Sequence, residues 1–319
     1  MSKPYCSSSQ SNKWSNLENF LHSVVPVVPS NVLPQSHIED ITNIWLFDDK
    51  DTIEYFKLED LWRSFEEWKW SAYGVGTPIV LDHGKSIVQY YVPYLSAIQI
   101  YTTKTPTAVR NLRANVNASK QDIEFCGDDI LANTSFEDEN PCPRINRLGY
   151  LYFQYHDTSS PYWRVPLADK IMDFMPNYPR LLSLRSVDLS PASWMSIAWY
   201  PIYHIPTKWY VKDLATCFLT YHTLSSCFQD SARDYDYDHQ KDPRATQISE
   251  AMEENKEKFH SQIVLPSFGL TAYKMQGDLW KNKNTSDEKK LVDLESTADS
   301  WLKQLDFYHH DFSFFKRNS

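Results

Sequence analysis

Glycine is scarce in this chain, seven residues in 319, and none of the seven is arranged as a phosphate-cradling loop. The sequence has no G-x-x-x-x-G-K-[ST], no G-x-S-x-G and no H-E-x-x-H, so the P-loop, the strained nucleophile elbow and the zinc-protease helix are all set aside. "AYGVGTP" at 72–78 contains a G-x-G but no third glycine, and Pro78 stands where a helix would start, so it reads as a turn. Cysteine is equally sparse: Cys6, Cys126, Cys142, Cys217 and Cys227 form no C-x-x-C, and an odd set without that spacing fits free thiols in a reducing compartment. No apolar run approaches the roughly 18 residues of a membrane span, and "MSKPYCSSSQSNKW" has neither a secretory apolar core nor an Arg-rich transit pattern. The expectation is a soluble protein, cytoplasmic or nuclear and not secreted. Basic clusters are missing too: 32 Lys and Arg face 41 Asp and Glu, for a net charge of −9, and the longest basic runs are Lys289-Lys290 and Lys316-Arg317. A phosphate backbone would be repelled, so nucleic acid is not an expected partner.

What is abundant is aromatic. Eleven Trp, 20 Tyr and 16 Phe, within 42% hydrophobic residues, supply ample surface for a core. "SNLENFLHSVV" opens with Ser15 and Glu18 at capping-box spacing and carries Leu17, Phe20, Leu21, Val24 and Val25 at helical intervals before Pro26 stops it. "LEDLWRSFEEWKW" predicts a second helix, with Leu58, Leu61, Trp62, Phe65 and Trp68 on one stripe. From Pro78 the period turns strand-like. "SIVQYYVPYLSAIQIY", bent or interrupted at Pro93, and "GYLYFQYH", with Leu151, Phe153 and Tyr155 on one face, predict strands. Leu167, Ile171, Phe174 and Met175 after Pro166 predict a helix; 182–189, 195–205, 214–224 and "IVLPSFGLTAYKM" read as strands; and Leu291, Leu294, Ala298, Trp301, Leu302 and Leu305 mark a late helix.

Strands thus gather in the middle without βαβ alternation, which predicts an α+β fold, a mostly antiparallel sheet flanked by helices. Residues 1–13 read as a disordered N-terminus and 14–315 as a single domain. Loop-like or disordered insertions are expected at 106–147, where seven carboxylates lie between Asp122 and Glu139, at 229–247 and at 281–290.

Candidate chemistry is thin. In "DYDYDH", Asp234, Asp236 and Asp238 match the first ligands of a calcium loop, but His239 stands where Gly is needed and Ala245 where a bidentate Glu is needed. "HHD" at His309–Asp311 has no identifiable partner and reads as a polar break between Leu305 and Phe312, so no metal site and no cofactor are assigned. In "SVDLSPASWMSIAWYPIYHIPT" both alternating faces are apolar, as in a strand covered on both sides, and Pro201 requires an edge or a bulge. A hydrolase would take Ser193 (or Ser196) as nucleophile, His204 or His222 as base and Asp188 as orienter, but no elbow or oxyanion-hole pattern accompanies them. A glycan-active enzyme would pair carboxylates such as Glu66, Glu67, Asp169 or Asp188, and no spacing sets their separation. The rival reading is a non-enzymatic binding or scaffold protein. Its surface would be Trp163, Arg164, Trp194, Trp199, Tyr203 and His204, where indole and guanidinium next to turns can anchor a protein partner or, less specifically, a small molecule.

The blocks "LENFLHSVVPVVPS", "LEDLWRSFEEW", "SIVQYYVPYLSAIQIY", "GYLYFQYHDTSSPYWRVPLADKI", "SVDLSPASWMSIAWYPIYHIPT", "VKDLATCFLTYHTLSS" and "LPSFGLTAYKMQGDLW" resemble, in order and over nearly the whole chain, the plant family known as domain of unknown function 789. Lys69 and Trp70 stand as extra residues within that pattern, and 106–147 falls in a variable stretch. The resemblance implies a plant protein with one domain over most of the chain. It carries over no activity, cofactor or site residue.

Overall fold

The computed structural model of the chain describes residues 14–34, 52–72, 74–81, 84–102, 148–207, 212–228, 262–275, 278–281 and 286–317. In chain order the elements begin with α1 (Asn16–Ser23), β1 (Val27–Pro29), β2 (Asn31–Pro34), β3 (Thr52–Tyr55), α2 (Leu58–Ala72), β4 (Val75–Val80) and β5 (Ser86–Thr102). They continue with β6 (Tyr150–His156), α3 (Leu167–Phe174), α4 (Arg180–Ser183), β7 (Trp194–Ile205) and β8 (Cys217–Thr223). The last are β9 (Gln262–Val264), β10 (Gly269–Tyr273), α5 (Asp287–Gln304) and α6 (His310–Arg317). The expected insertions at 106–147 and 229–247, residues 1–13 and the acidic run at Asp234–Asp238 lie outside the described residues.

The sheet is antiparallel throughout, in the order β10-β8-β7-β5-β4, with β6 also on β5. The 17-residue β5 is its spine: β7 runs along one side, while β4 takes residues 86–91 and β6 residues 97–102 of the other. Pro93 pairs with Trp199 and falls in the gap between β4 and β6, where a missing N–H breaks no ladder, so the strand passes through it. Pro201 meets the requirement for a bulge or an edge in both ways. The β5–β7 register shifts between Tyr90 and Tyr91, opposite Pro201, and β8 pairs with β7 only as far as Trp199.

Each face of the sheet carries helices. On one, the capping box of α1 forms as the sequence predicts, and Leu17 and Phe20 are fully buried. Phe20 stacks on Phe218 at 4.0 Å and meets Tyr91 and Trp280 edge-on. α2 buries Leu58, Leu61, Trp62 and Phe65, and the Trp62 indole donates to the Leu181 carbonyl at 2.8 Å. On the other face, Ala298 and Leu302 of α5 and Phe312 and Phe315 of α6 close over Trp194, Ala198, Leu219 and Tyr221.

Four sequence expectations change. Residues 182–189 form no strand: they run through α4 and a 3-10 turn at Ser186–Asp188, with one isolated bridge to the sheet, Leu189 to Thr102, and another from Arg185 to Lys57, because Leu181, Leu184, Val187 and Leu189 are buried on non-alternating positions. "IVLPSFGLTAYKM" is two strands in different sheets, β9 on β1 and β10 on β8. In β6 the register shift between Ile100 and Tyr101 leaves Leu151 exposed and turns Tyr152 onto Tyr178. The expected loop at 281–290 is helical from Asp287, whose buried carboxylate accepts from the Ser15 hydroxyl at 2.9 Å.

Two glycines mark close approaches. A Cβ on Gly74 would run into the Tyr91 carbonyl, which gives "AYGVGTP" a packing reason in place of a ligand. A Cβ on Gly269 would lie 2.9 Å from the Ala298 Cβ. Gly269→Ala is therefore expected to lower the unfolding free energy by about 1–3 kcal/mol in urea titration, and Ala298→Gly in that background should recover part of it.

Candidate functional site

The sequence's "polar break" is a buried polar network. α5 ends in a chain reversal: Asp306 adopts a left-handed conformation (φ 53°), with Asp306 N–H bonded to the Lys303 carbonyl and Phe307 N–H to that of Leu302. The reversal starts α6 beneath the sheet, so His309 and Asp311 face inward, each 2% exposed. Ser96 meets them from β5. The β5–β7 register steps from Leu95–Ile197 to Ala97–Ser196, which makes Ser96 the extra residue of a bulge and aims its hydroxyl at the network.

Donor accounting fixes the direction of the protons. Arg164 Nη1 and Nη2 grip the two Asp311 oxygens at 2.5 and 2.7 Å, so the carboxylate is an acceptor. Ser96 donates its hydroxyl proton to Asp311 Oδ2 and so must accept from His309 Nε2 at 2.9 Å. Nδ1 is then unprotonated and accepts the Tyr221 hydroxyl at 2.7 Å. The relay runs Tyr221, His309, Ser96, Asp311, and every proton points toward the carboxylate. Burial disfavours charge on both Arg164 and Asp311, but their mutual hydrogen bonds and attraction prevail, holding the carboxyl below the usual carboxylate range and the guanidinium above its own. Burial pulls His309 down to about 3, so it is neutral.

Ser, His and Asp meet here in an order unlike that of a nucleophilic triad. In a triad the imidazole accepts the serine proton and the carboxylate orients its other nitrogen. In this network the serine gives its proton to the carboxylate, the imidazole donates to the serine, and a tyrosine holds the other nitrogen. With Ser96 fully buried as well, the arrangement ties elements together and does not activate a hydroxyl.

The hydrolase candidates are not brought together. Ser193 exchanges both hydrogen bonds with the Tyr101 backbone, at 2.9 and 3.0 Å. Asp188 is held bidentately by Arg185 at 2.6 and 2.8 Å. His204 stands at the far end of β7, a strand of 12 residues at roughly 3.3 Å each. His222 is buried on the α1 face, where Trp199 donates to Thr220, Thr220 to His222 Nε2 and His222 Nδ1 to the Leu265 carbonyl. Burial lowers it to about 4. Of the proposed carboxylates, Glu66 and Glu67 belong to α2, Asp169 to α3 and Asp188 to the 3-10 turn. Among the described residues no group of His, Cys, Asp or Glu is placed to hold a metal ion.

The six residues of the expected binding surface also separate. Trp194 and Trp199 are fully buried on opposite faces of β7 and use their indole N–H groups internally, on Gln99 and Thr220. Tyr203 stacks on Tyr90 at 4.6 Å beyond the end of β8, with His204 half-buried beside it. Trp163 and Arg164 diverge. On the 3-10 turn Pro161–Trp163, Tyr162 is 94% and Trp163 83% exposed, while the Arg164 side chain turns in to Asp311 and also donates to the Ser159 carbonyl at 3.0 and 2.9 Å. Val165 and Met172 nearby in the chain are exposed as well. A separate cavity of about 330 Å³ lies between α1, β1, β9 and α5, lined by Leu21, Val25, Val27, Val264 and Leu294 with Glu18 and Lys290. Sequence reasoning missed Ser96, Tyr221 and Asp311, for which the only local signal was His309-His310-Asp311 ahead of Phe312 and Phe315.

A model of the family described as "Protein of unknown function (DUF789)" matches residues 15–315. No curated protein and no solved structure matches the chain.

Removing one partner of the ion pair strands the other charge, so Asp311→Ala is expected to cost about 3–5 kcal/mol of stability, and the double variant Arg164→Met, Asp311→Leu less than the sum of its parts. Protonation gives a second expectation. Unfolded histidine titrates near 6.5, so below that pH the unfolded chain binds protons that folded His222 and His309 refuse. Stability should fall by up to about 1.4 kcal/mol per pH unit for each histidine as pH drops from about 6.5 toward 4. Urea titrations at pH 7, 6 and 5 read this slope, and His309→Gln should remove about half of it.

Proposed function

We propose, from the premise that the chain belongs to the DUF789 family of proteins of unknown function, that it is a non-catalytic binding module whose anchor is Tyr162-Trp163. The observation that carries this is the exposure of two adjacent aromatic rings on a turn whose next residue is clamped in the buried network. Exposed aromatics on a fixed backbone suit partner recognition, because large rings bury much area and lose little conformational entropy on binding. The matching partner is a protein with an apolar pocket and a neutral or basic rim, complementary to a net charge of −9. We read 14–315 as one domain, supported by the match over 15–315 and by one sheet drawing strands from Val75 to Tyr273. We place it in the cytosol or nucleus of a plant cell, a reading supported by the free thiols of Cys217 and Cys227 and by the resemblance described above. Among the described residues no helix is long and apolar enough to cross a membrane.

Trp163→Ala and Tyr162→Ala are surface changes and should leave the melting temperature almost unmoved. In affinity purification from cell extract each should lose a partner that the unaltered chain retains. Binding of that partner, measured directly, should weaken at least tenfold, as for loss of a central aromatic anchor. Identical retention by both variants would end this reading. The 330 Å³ cavity supports a second, a small apolar ligand. Val27→Trp, which fills it, should then abolish uptake of an apolar fluorescent dye that the folded, unaltered chain binds.

A further inference from the structure

Three Ser/Thr-Pro steps fall among the described residues, and they differ in access. Thr77 before Pro78 is fully buried in β4. Ser190 before Pro191 is fully buried and accepts the Ala192 N–H at 3.2 Å. Ser160 before Pro161 is exposed, and its side chain caps nothing. Its backbone is extended (φ −58°, ψ 145°), the conformation that a proline favours in the residue before it. The residues around it are fixed. The Ser159 N–H bonds to Asp157 Oδ1 at 2.7 Å, the Ser159 carbonyl is held by Arg164, and Trp163 N–H closes the turn on the Ser160 carbonyl at 2.9 Å.

We propose that Ser160 is a phosphoryl-acceptor site for a Ser/Thr protein kinase that requires proline after the acceptor. Ser160 Oγ attacks the γ-phosphorus of ATP and the kinase's general base takes the hydroxyl proton. The Oγ–P bond forms as the bond from the γ-phosphorus to the β,γ-bridging oxygen breaks, and ADP leaves. The product carries about −1.5 to −2 charges two residues from Tyr162 in the sequence. Arg164, four residues on, cannot neutralise it, because its guanidinium is already committed to Asp311 and the Ser159 carbonyl. Asp157 and the net charge of −9 add charge of the same sign as the phosphate. Burying Tyr162 and Trp163 in an apolar pocket would then desolvate a phosphate that Arg164 does not pair, so modification releases the partner. This last step rests on the docking role of Tyr162-Trp163; the acceptor site does not.

The test treats the folded full-length chain with a purified proline-directed kinase and ATP and maps phosphate by peptide mass spectrometry. Phosphate is expected on Ser160 and not on Thr77 or Ser190, both of which the kinase should modify in peptides cut from the denatured chain. Pro161→Ala should lower incorporation at Ser160 at least tenfold. No phosphate on Ser160, or equal incorporation into Pro161→Ala, overturns the proposal. The phosphorylated chain should bind the Trp163-dependent partner at least tenfold more weakly than the Ser160→Ala variant carried through the same treatment. Equal binding would overturn the release step while leaving the docking role intact, and absence of any Trp163-dependent partner would overturn the docking role while leaving the acceptor site intact.

Discussion

The bidentate ion pair between Arg164 and Asp311 is the contact on which the outer face of the sheet depends. A guanidinium and a carboxylate taken out of water lose several kcal/mol each in solvation, and the loss is recovered only where geometry is good and the remaining protons and lone pairs find partners. Both conditions are met. The two nitrogen–oxygen contacts are short, Nε and Nη2 also reach the Ser159 carbonyl, and Ser96 supplies a further proton to the carboxylate. The pair therefore locates three things at once: the start of α6, the bulge of β5 and the turn that carries Tyr162 and Trp163.

The two faces of the sheet solve the same problem in parallel. Each buries a tryptophan from β7 and a histidine kept neutral by its surroundings, and each drains its donors in one direction: to the Leu265 carbonyl on the α1 face and to Asp311 on the α6 face. Residues that look like catalytic or ligand-binding types in the sequence thereby serve as satisfied interior groups. The exposed aromatics on the turn have no such internal use.

Local pattern carried much of the fold. Ser15 and Glu18 identified a real helix start, the apolar stripe of α2 is the one that packs, and Pro201 correctly implied a bulge at the end of a doubly covered strand. What failed was local pattern without a periodic partner. The apolar residues from 182 to 189 are buried one by one in irregular structure, and α6 follows a left-handed Asp where a glycine would have been recognised. The network was illegible because its members are far apart in the chain: 147 residues separate Arg164 from Asp311, and 215 separate Ser96 from Asp311. No spacing rule links an inward-facing serine on a bulge to a carboxylate in a distant helix. The turn was legible in part, since the sequence singled out Trp163 and Arg164 beside it, but it passed over Tyr162, and that Trp163 faces solvent while Arg164 turns inward follows only from the position of Asp311.

That long separation also sets an order of events during synthesis. At roughly 5–20 residues per second, the ribosome makes Arg164 on the order of ten seconds before the carboxylate that will neutralise it. Until α6 emerges, the guanidinium must stay hydrated, and the face of β5, β7 and β8 that α6 covers must stay open. The sheet can pair its strands in the order in which they appear, whereas the part of its outer face that α6 covers closes only after α6 is made. A nascent chain halted before α6 would present an open apolar surface with an unpaired cation beside it, the kind of surface that chaperones retain.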